Sequence, residues 1–482
     1  MLLVKNSRLS IVIALGLLLA VAACKKGWKD HTDITDPNLG INLITAIKAD
    51  PEAAQFVTLL TKTGYDKVLE SSKSFTVWVP NNSAISALPA NVLADTNLLK
   101  SFVGNHIANG SITSGITGLQ RIPMLNGKYT NLNNLQLDSA SIVKSNKYCS
   151  NGLYNLMDKF VPVKDNCWQW LLNSTGFTSS KNFFLSLNYS YFDSASATQT
   201  GVDPNTGQPV YKPGTGLSTR NRFLDNVMNV SDESKEYTFI ILNDASFAAE
   251  NTKLTPWFKT TSVDTTNNLA GSWLVKDLAV QGSFAAAQLP DTLISQYGVK
   301  VPIDKTKILS SVKTSNGWVH TMSQVNFTLA HKFPPIIIQG ENPSGFAADR
   351  TAQLLFRNRL NPVTGENFKD ILMQNYSFAS YWVRYLSRNM NSMRYNAFWV
   401  AVNDVQTTPL WTQRLGVDSV TTTGNFPYIT VANQNYNEVS LGQFTVPRYK
   451  DLNLFLIGAN SSSSSGGGVS VSLDYIKLVP AF

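Results

Sequence analysis

Cysteine and histidine are scarce in this 482-residue chain, which holds 3 of the first and 4 of the second. The histidines, His31, His106, His320 and His331, are dispersed. A zinc centre needs three or four nitrogen and sulfur ligands at recognisable spacing, and none is spelled here. H-E-x-x-H, C-x-x-C, G-x-S-x-G, Walker and G-x-G-x-x-G patterns are absent, so the sequence carries no signature of catalysis and implies no metal and no cofactor. Charge is sparse too: 15% of residues are charged against 43% apolar. Asn, Ser and Thr carry the polarity instead, which suits an extracellular, β-rich protein better than a cytosolic enzyme. The net charge of +8 is spread without a basic run or a basic amphipathic helix, so no nucleic-acid partner is indicated.

What is present begins with a targeting device. Lys5 and Arg8 precede the apolar stretch Leu9 to Ala23, which is too short for a full membrane span. Val21-Ala22-Ala23-Cys24 resembles a bacterial lipobox, so residues 1–23 read as a lipoprotein signal peptide, with Cys24 as the acylated residue of a membrane anchor. Residues 24–40 are polar and lack periodicity, which makes them a tether. Lys25 stands where an inner-membrane retention aspartate would be, and this favours the outer membrane.

The run Phe75-Thr-Val-Trp-Val-Pro80 has the residue types of a strand buried on both faces. Proline ends it, and Asn81, Asn82 or Ser83 can cap the helix that follows. The phrase returns at Tyr237–Phe247. Two more phrases return in the same order: Val103–Ile112 at Val275–Phe284, and Ser150–Asp158 at Ser315–Ser323. Three ordered matches indicate a repeated unit, and the phrases resemble those of the fasciclin (FAS1) domain. The first copy, 41–165, matches through Phe75–Ile85, through Asn105-His106 ending in Gly110, and through Ser150–Pro162. The second, 166–333, departs from the pattern: Leu242 replaces the proline, Leu278 the histidine and Ser323 the aspartate. It also carries a Gly-, Pro- and Thr-rich insertion at about 198–216, expected to be an exposed hairpin or long loop.

His106 falls where the family often has histidine; the plainest expectation is a buried imidazole hydrogen-bonded to a neighbouring strand. Asn151-Gly152 and Asn316-Gly317 read as turn residues. Cys149 and Cys167 are a candidate disulfide in an oxidising compartment, provided the residues flanking the intervening strand, on the order of 33 Å long, fold straight back.

Residues 334–482 change style. Tyr381–Leu386, Asn396–Val402, Leu452–Gly458 and Val469–Val479 are short strands at hairpin-like intervals, an all-β sandwich pattern. In the last, Val469, Val471, Leu473 and Tyr475 alternate with Ser470, Ser472 and Asp474, which predicts one buried face. Its ending resembles the final strand of galactose-binding-like (discoidin or jelly-roll) modules. Sugar-binding modules present flat aromatic rings beside a few polar groups. The candidates here are Tyr381, Trp382, Trp399 and Trp411, with Arg384, Asn403 and Asp404 for hydrogen bonding. Trp382 and Trp399 lie on strands and can equally be core. Trp411 follows Pro409 in an expected loop and is the better exposed candidate.

The fold class is therefore α+β, two FAS1-like domains followed by an all-β sandwich. The resemblance implies adhesion or ligand binding without catalysis. The combination is similar to surface lipoproteins of the Bacteroidetes, which implies an outer-membrane protein facing the cell exterior, binding polysaccharide as an accessory to a SusC/SusD-type uptake complex. The competing expectation is a docking subunit that binds another cell-surface protein.

Overall fold

A computed structural model describes residues 37–347, 353–374, 376, 381–405, 410–421, 426–459 and 469–482. Cys24 and the tether up to residue 36 lie outside these, as does Pro409. No helix among the described residues is long and apolar enough to cross a membrane. The chain divides into two compact units. The first runs to Asn166 and takes in Asp232–Lys235 and Thr314–Asn316; the second holds Cys167–Ser231, Glu236–Lys313 and Gly317–Phe482.

The first unit is built on the strand Phe75–Pro80, all of it buried. It pairs antiparallel with Ile107–Asn109 and parallel with Gly152–Met157, so that Phe75 faces Gly152 and Pro80 faces Met157. Alternation sends Phe75, Val77 and Val79 into a core with Leu43, Phe56 and Phe102, and sends Trp78 into a second core with Ile122, Leu132 and Met157. Two apolar destinations explain the uninterrupted apolar run. Asn81 accepts the Ala84 amide (2.8 Å) and so caps the helix Asn82–Ser86. Four further strands complete a seven-stranded sheet. Asp232–Lys235 is held by Arg121, which donates to the carbonyls of Glu233, Ser234 and Lys235. The Glu233 carboxylate in turn accepts from Lys128, Asn166 and Ser315.

The second unit is built on the same motif. Tyr237–Leu242, again buried throughout, lies between Ala279–Gln281 (antiparallel) and Gly317–Met322 (parallel). The correspondence extends to single bonds: Trp78 N–H donates to His106 O (2.9 Å), and Ile240 N–H donates to Leu278 O (2.7 Å). Asn243 accepts from Ser246 (2.9 Å) as Asn81 does from Ala84. The insertion is an exposed arm wider than 198–216. Asn188–Phe192 pairs with Leu217–Asn221, and beyond it Gln199–Val202 pairs with Pro209–Tyr211.

Among the described residues, 336–481 form three antiparallel sheets. In one, Ile336–Gln339, Tyr475–Ala481, Arg394–Val400 and Val439–Thr445 lie in that order. In the second the order is Gly345–Phe346, Trp382–Met390, Lys450–Gly458, Thr412–Val417, Ile429–Thr430; in the third it is Leu355–Leu360, Asn367–Gln374, Ser470–Leu473. The expected single last strand is broken at Asp474, where the chain passes from the third sheet to the first. The prediction of one buried face also fails, because Ser470 and Ser472 are as buried as Val471 and Leu473. At that crossing the strand has protein on both sides.

One apolar core runs from the second FAS1-like copy into the sandwich. Trp257, Phe258, Phe333, Tyr449 and Phe482 form a chain of ring contacts at 5.6–6.3 Å. Ser392 ties the backbone across it: its N–H donates to Trp257 O (2.9 Å), its hydroxyl donates to Pro256 O (3.0 Å), and it accepts from Lys259 N–H (2.8 Å). The change of fold near residue 334 is thus internal to one compact unit. Cys149 and Cys167 are both buried, Cys149 in the core of the first unit and Cys167 in that of the second, with the Gly152–Met157 strand carrying the chain between them.

Candidate functional site

Strand alternation sorts the aromatic candidates. Tyr381 and Trp399 point inward and are buried. Trp411 is corrected: expected to be exposed, it is only 2% exposed. It stands immediately before the strand Thr412–Val417, and its carbonyl accepts Val431 N–H (3.0 Å), so its backbone is already in the sheet. Asn403 is also buried. Its carbonyl accepts Gln434 N–H (2.7 Å), and its amide donates to Val431 O (3.4 Å), so it shapes loops and does not face solvent. Asp404 is occupied by Arg357 (3.0 Å) and Arg359 (2.8 Å), which also hold buried Asp370.

Trp382 and Arg384 survive as surface groups. They lie on the outward side of Trp382–Met390, alternating with buried Val383 and Tyr385. Register places Arg384 opposite Phe455, and Phe455 opposite Gly416; Trp382 faces Ile457, which faces Arg414. The rings of Trp382 and Phe455 meet edge to face at 5.4 Å and 84°. Arg384 is oriented by donating to Ser344 O (2.9 Å), and Arg414 lies over Tyr428, 4.8 Å from its ring centre. Asn453, beside Phe455 on the same strand, adds an amide. The face is therefore a small aromatic floor edged by two guanidinium groups, an amide and a phenol. Such a surface can stack on the apolar side of a ring while hydrogen-bonding its rim.

A second concavity lies at the strand ends: a groove of about 1020 Å³ lined by Gln339, Glu341, Arg359, Phe368, Tyr436 and Asp474, among others. Phe368 and Tyr436 meet edge to face at 6.1 Å, with Arg359 over Phe368 at 5.6 Å. Burial, with the charges of Asp370 and Glu341, pushes Asp474 up to about 7. Among the described residues, no group of three His, Cys, Asp or Glu is arranged to hold a metal ion.

His106 is core. Its Nε2 accepts Val161 N–H (3.0 Å), and its Nδ1–H donates to Phe102 O (2.9 Å). Burial holds its pKa down to about 4. Asn151 does more than turn the chain. It accepts Leu43 N–H (2.7 Å) and donates to Leu69 O (2.8 Å) and Ser71 O (3.0 Å), fixing the first helix of its unit.

Phe455, Arg414 and Tyr428 escaped the sequence reading. The alternation of Leu452, Leu454 and Leu456 with Asn453 and Phe455 marks the last two as outward. Which strand lies beside them is a matter of register, and a single sequence does not encode it legibly.

Residues 51–162 match the fasciclin domain family. No curated protein matches the chain. Among solved structures, a FAS1 domain pair from the insect cell adhesion molecule fasciclin I aligns at 11% identity, covering 58% of this chain and 99% of that one, with a TM-score of 0.24. The CBM6 module of LamC, a marine laminarinase from Zobellia galactanivorans, aligns at 14% identity over 30% of this chain and 98% of that one, TM-score 0.21. A family 35 carbohydrate-binding module from Clostridium thermocellum aligns at 17% identity over 31% of this chain and 100% of that one, TM-score 0.21.

Proposed function

We propose that this chain is a non-catalytic, lipid-anchored protein of the outer membrane that captures polysaccharide at the cell exterior, as an accessory to a SusC/SusD-type uptake complex. The lipobox-like stretch ending at Cys24 supports the anchor, and the fasciclin match over 51–162 supports an adhesive part. The observation that carries glycan capture is the outward sheet face on which Trp382 and Phe455 lie between Arg384 and Arg414. Affinity electrophoresis of the whole mature chain against plant, algal and fungal polysaccharides tests it. The whole chain is required because the sandwich shares its core with the second FAS1-like copy. Retardation by at least one polysaccharide, lost in Phe455→Ala and Trp382→Ala and kept in Trp411→Phe, is expected. A folded chain that no polysaccharide retards sinks the reading.

The exposed arm at 188–221 favours a second reading, docking to another cell-surface protein. Tyr191, Phe192, Val202 and Leu217 all stand exposed on the arm's two successive two-stranded ribbons. Such a ribbon is marginal by itself in water, and a partner would cover it. Co-purification of a defined membrane protein that disappears when residues 198–216 are deleted would support docking; unchanged co-purification would rule out 198–216 as the docking segment.

A further inference from the structure

Among the described residues, the strand Leu355–Leu360 is the edge of its sheet, paired on one side only, with Asn367–Gln374. Which amides face the free side follows from the hairpin. Asn361 N–H donates to Glu366 O (2.9 Å), two positions short of the pairing of Arg359 with Phe368. In an antiparallel ladder the bonded positions alternate, so Leu355, Arg357 and Arg359 direct both backbone groups to the neighbouring strand. Phe356, Asn358 and Leu360 hold theirs toward the open edge. Their side chains also share one side of the sheet, and two of them, Phe356 and Leu360, are 55% and 59% exposed.

Proteins usually guard such an edge with a proline, a bulge or a charge that pairing would strand. This strand pairs in regular register, contains no proline, and its two charges are already neutralised. Arg357 is held by Asp370 and Asp404, and Arg359 by the same two carboxylates. The order apolar, polar, apolar at 356, 358 and 360 is symmetric about Asn358.

We propose that this edge pairs with itself in a second copy of the chain, antiparallel, on a two-fold axis through Asn358. Only a register that sets each residue opposite one of its own parity keeps the sheet faces aligned. Centring on Asn358 sets Phe356 against Leu360 of the other copy, Asn358 against its equivalent, and Leu360 against Phe356. All three positions are those with free backbone groups, so each pair exchanges both of its bonds. Centring on Arg357 would leave Leu360 without a bonded counterpart among them. The two three-stranded sheets become one, and the exposed rings and methyls of Phe356 and Leu360 are covered. The interface is isologous, so it closes at two copies and does not grow into a fibre.

Sedimentation velocity of the full chain tests the association, and cysteine placement tests the register. A species of twice the 53.0 kDa chain mass is expected, returning to single-chain mass in Phe356→Lys with Leu360→Lys, both solvent-exposed changes that leave the fold intact. Under mild oxidation Asn358→Cys should give a covalent dimer, whereas Val363→Cys, exposed in the same hairpin but off the axis, should not. Mixing Phe356→Cys chains with Leu360→Cys chains should produce a cross-link that neither gives alone. A chain that sediments singly at tens of micromolar, a dimer that survives the two lysines, or equal cross-linking at 358 and 363 overturns the proposal.

Discussion

Lys332 Nζ lies 2.7 Å from Asp277 Oδ2, and neither side chain is exposed to solvent. The ammonium also donates to Trp273 O (2.7 Å), and Ser295 donates to the other Asp277 oxygen (2.6 Å). Burial pulls the Lys332 pKa down to about 8 against the pull of Asp277. Removing one partner leaves a buried charge alone, so Asp277→Ala should cost about 3–5 kcal/mol of second-unit stability. The double change Asp277→Ala, Lys332→Met should cost much less than its two single changes together. Denaturant titration of the four proteins measures it, and strict additivity would refute the coupling.

Gly152 and Gly317 are predicted to be irreplaceable for one reason. Each has a positive φ, +140° and +145°, and a Cβ would fall 1.9 Å from the carbonyl oxygen of Phe75 and of Tyr237 respectively. Gly152→Ala or Gly317→Ala should cost more than about 4 kcal/mol, beyond the usual range for a point change. Gly64, with φ +76° and open space where the Cβ would go, is the control; Gly64→Ala should cost about 1 kcal/mol. Thermal melts showing equal losses at 64 and 152 would contradict the close-approach argument.

His106 makes the first unit sensitive to acid. Its folded pKa is about 4, below the ordinary 6.5. Between those values the unfolded chain holds a proton that the native one lacks, so stability falls as pH drops from 6.5 toward 4, by roughly 3 kcal/mol in all. His106→Leu, which installs the residue of the second copy, should flatten that slope while costing stability at pH 7 through the orphaned Val161 amide. A slope unchanged in the variant would place the titration elsewhere.

Asp474 works in the opposite direction. Its carboxyl is pushed up to about 7, so the native state binds a proton that the unfolded state has already lost. Stability from this group is full at acid pH and declines as pH rises toward 7 and just beyond. Asp474→Asn should therefore raise the melting temperature at pH 8 more than at pH 5. A loss at pH 8 would mean that the carboxylate is held as an anion by something it binds.

Much of the α+β half was readable because local chemistry repeats there. A strand, a cap and a glycine recur at fixed order, and each acts on its neighbours in sequence: Asn81 on Ala84, Gly64 on the helix before it. The sandwich was readable as strands but not as a surface. Trp411 and Phe455 have the same preference for pleated, half-buried positions, and only cross-strand register decides which of them meets solvent. Ser470 and Ser472 misled for a related reason, since a polar residue signals an open face only where no second layer covers it. Lys332 and Asp277 are 55 positions apart and carry no mark of burial until the helices close over them.

The core common to the second FAS1-like copy and the sandwich has a mechanical meaning. A load taken up at the sandwich is passed on as shear across packed rings, the Ser392 ties and the bond from Tyr449 N–H to Lys259 O, which must give way together. The second unit would then yield in a single rupture event, a stiff lever with no universal joint in it.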